Sequence, residues 1–374
     1  MNLPISEFAV GKHYSELPTP CLCVDLDIFD YNIQAMKGLL AGTNCNLRPH
    51  FKAHKSTAVA HIQMKNGAIG ISCAKLGEAE VLAHSGIGSI LLTNQTIGEA
   101  KIRVLCGLNR YSEVITAVDD KKNAEEINKV AKELGLVVPV VIEVDTGLNR
   151  SGVRSIEEAV SLTSHICSLS NLTFKGIQAY EGAFRGMSDR EKAAKCDGTG
   201  DIGGVAFAVE VRKAIEAVGV PVEIVSCSST GTCAISIHME GITEIQPGSY
   251  IVMETAYYRD NDNFPFKEAM YLPSTICSIN KPNKRIVIDC GKKATPYDQG
   301  LPILIEDPTA KLIFHEEHCL IDATEKLTSY NIGDVLRLAP SHCCTTANLH
   351  DIIYCTRNGF VEQVWPVNAR GRYQ

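Results

Sequence analysis

Chemistry in this chain gathers at a few short stretches. Leu47–Lys55, LRPHFKAHK, carries Lys52 two residues after His50, at the end of a short apolar run. An amine held at the end of a buried strand has few neighbours to hydrate it. Desolvation and nearby basic residues both favour its neutral, nucleophilic form. A surface lysine in a basic loop is the competing reading of the same residues. Two clusters, Ser228-Ser229-Thr230-Gly231-Thr232 and Pro247-Gly248-Ser249-Tyr250, suit an anion cradle. Their small residues let backbone N–H groups approach a phosphate, and their hydroxyls add donors. Taken alone, SSTGT reads better as a flexible turn, and it is the lysine, arginine and tyrosine on the same rim that favour the phosphate reading. His342 and Cys344 place an imidazole and a thiol two residues apart, on one face of an extended segment, with Cys343 turned the other way as a structural residue. That pair suits zinc better than magnesium or calcium, which prefer oxygen. A buried core pair is the alternative.

The composition narrows what these groups can serve. At 45% hydrophobic and 21% charged, the 374 residues match an ordinary globular chain long enough to bury its own core. A net charge of −7 without any basic block argues against nucleic-acid or anionic-membrane binding. The 15 cysteines form no recurring CxxC, which argues against a zinc ribbon or an iron–sulfur frame and for reduced core thiols. The start, MNLPISEFAVGKHY, lacks a basic segment followed by an apolar one, and no apolar run is long enough for a bilayer. The expectation is a cytoplasmic protein without a signal peptide.

The elements that must position the clusters alternate. Cys21–Leu26 reads as a strand, and Asp27 as the cap of a helix over Ile28–Leu40. From there, strand-like runs at Asn46–Lys52, Ile69–Cys73, Ser89–Leu92, Val114–Val118, Val137–Val144, Leu172–Ala179, Glu223–Cys227 and Glu244–Gln246 are separated mostly by helical patterns. Near-continuous apolar strands with helices between them imply a parallel sheet covered on both faces. Eight such units in about 200 residues predict an α/β fold, a (β/α)8 TIM barrel. A doubly wound open sheet is the competitor, weakened by the lack of GxGxxG after the first strand. In a barrel, functional residues collect at the C-terminal strand ends. Lys52, Asp145–Arg150, Tyr180-Glu181-Gly182, the SSTGT turn and Pro247–Tyr250 all fall there. From about residue 262 the texture becomes Pro, Gly and short β runs: Met270–Ile279, Arg285–Ile288, Lys311–Phe314, Val335–Leu338, Ile352–Thr356 and Gly359–Trp365. The expected division is a barrel over 21–261 and a smaller β-domain over 262–374, with residues 21–26 able to pair into the latter.

A lysine and a phosphate cradle on one barrel rim suggest pyridoxal 5'-phosphate. PHFKAHK, DTGLNRSG, QAYEG, the STGT turn, QPGSY and PSHCCTTANLHD occur in an order that resembles the D-serine dehydratase and D-threonine aldolase family. These are fold-type III pyridoxal-phosphate enzymes with an alanine racemase-like barrel, and the resemblance runs over essentially the whole length. It implies that Lys52 is the Schiff-base lysine and the base at the substrate α-carbon. By the same resemblance Arg150 lies near the cofactor ring oxygen and Tyr180 against the ring, with His50 also in the cofactor site. Thr230, Gly231, Thr232, Gly248, Ser249 and Tyr250 are the phosphate candidates. Gln246 stands where alanine racemases carry an arginine facing the pyridine nitrogen. His342 and Cys344 match the family's metal ligands, with zinc favoured over manganese or magnesium. The implied partners are a small D-amino acid and a second subunit, as a homodimer.

Within that family the expected reaction is a D-serine dehydratase-like elimination. Cys344 stands where the family's dehydratases carry cysteine and its aldolases more often aspartate. No histidine base occurs between Tyr180 and Cys196. The alternative is an aldolase acting on D-threonine or 3-hydroxy-D-aspartate, with a metal-bound water or Glu181 as base. Glu181 and Arg185 could also contact the substrate, or lie in a solvated loop. A racemase, with Tyr297 or Tyr354 as second base, is the further alternative.

Overall fold

The computed structural model describes residues 8–182, 204–258, 264–322 and 324–374. The chain forms two compact units: Met1–Met36 with Ala53–Val59 and Ser249–Arg370, and Lys37–Lys52 with Ala60–Gly248 and Gly371–Gln374. The division therefore does not follow the single cut expected after residue 261. The first strand, β1 (Cys23–Asp25), pairs inside the first unit, as the sequence allowed. The extreme C-terminus belongs to the second, where Gly77 N–H donates to Gln374 O at 3.0 Å.

The second unit is the barrel. Its strands are β2 (Asn46–Leu47), β3 (Ile71–Cys73), β4 (Ser89–Gln95), β5 (Glu113–Val118), β6 (Val138–Glu143), β7 (Leu172–Ala179), β8 (Ile224–Cys227) and β9 (Glu244–Ile245). They run parallel in the order β2-β9-β8-β7-β6-β5-β4-β3. The circle closes where His50 bridges Ser72 and Ile69 N–H donates to Leu47 O at 2.9 Å. The eight strands are those the sequence indicated. Every residue of β6 is buried, which is why VPVVIE reads as one apolar run. The covering helices are amphipathic and capped. Lys121–Glu133 starts behind Asp120, whose side chain accepts from Asn123 N–H, and buries Ala124, Ile127, Val130 and Ala131. Beneath the rim, Arg48 and Glu244 form a buried ion pair at 2.8 Å, and Ser89 accepts from the same guanidinium at 2.9 Å.

The first unit is built on β10 (Met270–Asn280), which pairs with β1, with β11 (Arg285–Ile288) and with β15 (Val335–Ala339). Around it lie β12 (Ile303–Leu304), β13 (Lys311–Phe314), β14 (Cys319–Asp322), β16 (Ile352–Arg357) and β17 (Phe360–Pro366). β12 and β14 escaped the sequence reading, being runs of only two and four residues. Tyr271, Tyr354, Cys21 and Cys23 share one apolar cluster. The helix Leu26–Leu40 is capped by Asp25 rather than Asp27: Asp25 Oδ1 accepts from Asp27 and Ile28 N–H at 2.9 and 3.1 Å. Helix formation begins two residues earlier than a cap at Asp27 would allow. Among the described residues no helix is long and apolar enough to cross a membrane.

Candidate active site

On the barrel, the expected residues sit at one rim because the strands that carry them are parallel. Lys52 lies in the turn Phe51–Ala53, just beyond β2, and is half-buried. His50 shapes that turn. Its Nδ1 accepts from Lys52 N–H at 3.3 Å, and its Nε2 meets Thr93 Oγ at 3.3 Å. The Thr93 hydroxyl already donates to Cys73 O at 3.0 Å, so the proton on the ring is at Nε2. His50 thus holds the backbone of Lys52.

Lys52 Nζ lies 5.3 Å from the centre of the Tyr180 ring, and the Arg150 guanidinium 5.6 Å from the same centre. The three residues expected around a cofactor are therefore neighbours. Gly182 is required by this arrangement, since a Cβ there would stand 2.5 Å from the Tyr180 ring. Arg150 is placed by the turn that follows β6. Asp145 Oδ1 accepts from Gly147 and Asn149 N–H, both at 3.0 Å, and its Oδ2 from Arg154 at 3.1 Å. At the end of β6, Glu143 accepts from Gln95 at 2.6 Å and Ser151 at 3.1 Å and lies 3.6 Å from Arg150. Burial raises the Glu143 carboxyl above its usual range. Nothing in the sequence pointed to this residue.

The loop after β8 is fixed by Glu181. That carboxylate is 1% exposed, accepts from Ser228 N–H at 2.9 Å and receives the Thr232 hydroxyl at 2.5 Å. Burial raises it as well. Ser228 takes a left-handed φ of +77°, a strained conformation that is held in place with its N–H on Glu181. Thr232 Oγ also accepts from Ser229 N–H at 3.0 Å, so its hydroxyl is committed to the loop. Glu181 is neither solvated nor open to a substrate. Arg185 lies outside the described residues. Gln246 Nε2 donates to Ser226 Oγ at 2.7 Å, which sets the orientation of its amide. Thr230 is buried. With an amine, a tyrosine ring, an arginine and a loop of small hydroxyl residues on one rim, the barrel fits pyridoxal phosphate.

Ser249 and Tyr250 belong to the other unit, in the turn Ser249–Ile251. There Ser249 Oγ lies 3.4 Å from Cys343 Sγ, and the Tyr250 ring meets Phe266 edge-on at 5.5 Å. The histidine–cysteine pair is in this unit too, with a geometry unlike the expected one. His342 is extended and is the N-cap of the helix Cys343–Ala347, so Cys344 lies in the first helical turn. The segment stops being extended at Cys343 because Glu254 Oε2 accepts that residue's N–H at 2.6 Å and starts the helix. Cys343 is buried, as expected of a structural residue.

Burial lowers the affinity of His342 for a proton, but the Cys344 thiol and the Glu254 and Asp298 carboxylates outweigh it and raise its pKa to about 9. Burial and the nearby Cys344 raise Glu254 to about 7. Among the described residues no group of three or more His, Cys, Asp or Glu is arranged around one point. The pair offers one nitrogen and one sulfur, a donor set that fits zinc with positions left open. Tyr354 is 4% exposed within its apolar cluster, which removes it as a second base.

Residues 24–256 match the family model of the alanine racemase N-terminal domain, and residues 269–356 match that of a serine dehydratase domain. The chain belongs to the fold-type III pyridoxal-phosphate family. It is a lyase of that family. Over 97% of its length it is 35% identical to 94% of the 3-hydroxy-D-aspartate aldolase of Paracoccus denitrificans. Over 96% it is 31% identical to 95% of the D-threonine aldolase of Arthrobacter sp. The crystal structure of D-threonine aldolase from Filomicrobium marinum superposes with a TM-score of 0.90 at 31% identity, covering 97% of this chain and 98% of that one. The D-threo-3-hydroxyaspartate dehydratase of Delftia sp. is more distant, 25% identical over 88% of this chain and 92% of its own. That dehydratase shares the fold at a TM-score of 0.86, and its variant with a cysteine replaced by alanine was solved in the metal-free form.

Proposed function

We propose that this fold-type III lyase is a D-3-hydroxy amino acid aldolase, cleaving the α–β carbon bond of D-threonine or 3-hydroxy-D-aspartate to give glycine and an aldehyde. The observation that carries this reading is the full-length likeness to two aldolases at 35% and 31% identity, against 25% for a dehydratase. It displaces the elimination expected from Cys344, because one ligand identity weighs less than agreement along the whole chain.

Pyridoxal phosphate, when bound, supplies an electron sink for the pair left at the α-carbon. Lys52 would hold it covalently, and Lys52 Nζ would hand a proton to the α-carbon once the bond is broken. Tyr180 and Arg150 orient the ring from beside Lys52. Glu181 keeps the loop at Ser228–Thr232 in shape for the phosphate. With both carboxylate oxygens occupied, Glu181 is not the base for the β-hydroxyl. His342 and Cys344 would hold a divalent metal, zinc by their donor types, and such a metal would supply the Lewis acidity that acidifies a hydroxyl bound to it. That the Delftia enzyme has a structure specified as the metal-free form supports metal binding in enzymes of this kind.

Elimination stays as the second reading on the strength of Cys344. Incubation with D-threonine, 3-hydroxy-D-aspartate and D-serine separates the two. Glycine with acetaldehyde or glyoxylate, lost after chelation and restored by metal, supports the aldolase. Pyruvate or oxaloacetate with ammonia refutes it in favour of the dehydratase, and a chelator-insensitive change of optical rotation refutes both.

A further inference from the structure

We propose that Asp298 is the positioning carboxylate of the His342–Cys344 pair, fixing the imidazole in the tautomer whose Nε2 lone pair is offered to the metal. The proposal rests on the reading of that pair as metal ligands. Asp298 Oδ2 lies 2.7 Å from His342 Nδ1, and its Oδ1 accepts from the Thr345 hydroxyl at 3.1 Å. A carboxylate can only accept, so the nitrogen facing it carries the hydrogen. In the neutral ring, the form that binds a metal, the lone pair is then on Nε2. The other ring nitrogen gives a second indication. The Gln299 amide nitrogen lies 3.3 Å from His342 Nε2, within reach to donate to a lone pair there. In the neutral ring, one placement of the hydrogen satisfies both neighbours.

The two contacts have one source. Tyr297–Gly300 is a tight turn, closed by Gly300 N–H to Tyr297 O at 3.1 Å, and it presents Asp298 and Gln299 from consecutive positions. Thr345 ties the turn to the helix that carries Cys344, so the orienting carboxylate is anchored to the element that supplies the sulfur ligand. The Asp298 side chain is 44% exposed against 17% for His342, so replacing the aspartate empties no buried space. An outer carboxylate of this kind fixes the ring and raises its basicity toward the metal, and its loss typically weakens binding about 10- to 100-fold.

The test is a zinc titration of the full-length, cofactor-loaded protein by competition with a chromophoric chelator. His342→Ala identifies the stoichiometric step that belongs to this pair. Asp298→Ala is expected to weaken that step by roughly 10- to 100-fold, and Asp298→Asn by less, since its amide oxygen can still accept from Nδ1. The cofactor absorbance and the melting temperature of the metal-free protein should stay as in the parent. If Asp298→Ala binds zinc within about twofold of the parent, the proposal falls and the metal reading stands. If the parent shows no step that His342→Ala removes, both fall together.

Discussion

Replacing Glu181 by alanine tests whether the loop after β8 is held from beneath. The carboxylate receives Ser228 N–H at 2.9 Å and the Thr232 hydroxyl at 2.5 Å, and both residues are buried. Alanine leaves the buried Ser228 N–H without an acceptor and the Thr232 hydroxyl with only the Ser229 oxygens, at 3.2 and 3.5 Å. An orphaned buried donor costs about 1–3 kcal/mol and the weakened hydroxyl about 1 kcal/mol, together about 2–4 kcal/mol. Removing a carboxylate that burial already disfavours offsets part of this, leaving roughly 1–3 kcal/mol. At 1.4 kcal/mol per factor of ten, a loss of that size in the cradle weakens pyridoxal phosphate about 5- to 140-fold. Glutamine keeps the shape and one acceptor oxygen, so Glu181→Gln should fall between alanine and the parent. The assay is a titration of apoenzyme with cofactor, followed by visible absorbance, alongside the melting temperature of the apoenzyme. Because the folded-state pKa of Glu181 is raised, its protonated form favours the fold. That contribution is complete below the unfolded value and fades as pH rises through the folded one, a dependence that Glu181→Gln should remove. Alanine binding the cofactor within about twofold of the parent, with an unshifted melt, would refute the idea that this carboxylate supports the loop.

Lys52→Ala should abolish the visible absorbance of the covalently held cofactor, and an unchanged band would take the lysine out of that role. Gly176 has a φ of +146°, and a Cβ there would stand 1.9 Å from Ile224 O, so Gly176→Ala should destabilise the β7–β8 pairing by about 3 kcal/mol or more, read by chemical denaturation. Asp307 is held down to about 2, first by the Thr309 hydroxyl and then by that of Thr324. Its depressed pKa contributes stability that is present above the unfolded value near ~4 and lost as pH falls through about 2. Asp307→Asn should flatten the acid limb of a plot of melting temperature against pH in that window, and an unaltered limb would count against the assignment.

The order of the barrel strands was legible because a strand buried on both faces must be apolar throughout. VPVVIE carries that signature without help from any neighbour. β2 and β9, two residues each, were found through the polar clusters that follow them. The same logic failed for β14, four residues that take their strand character from pairing with β11 and β13. It failed again at Cys343, where a carboxylate 89 residues away in sequence turns an extended segment into a helix start.

By itself the sequence determined the parallel (β/α)8 architecture, the amine on its rim and the imidazole–thiol pair, because hydrophobic period and residue type are local properties. Only the tertiary structure decided which carboxylates serve these groups. Glu181 lies beneath the Ser228–Thr232 loop, Glu143 beside Arg150, and Asp298 against His342. Glu181 and Asp298 depend on donors brought to them by distant parts of the chain, and hydrogen-bond geometry of that kind leaves no periodic trace in the order of residues.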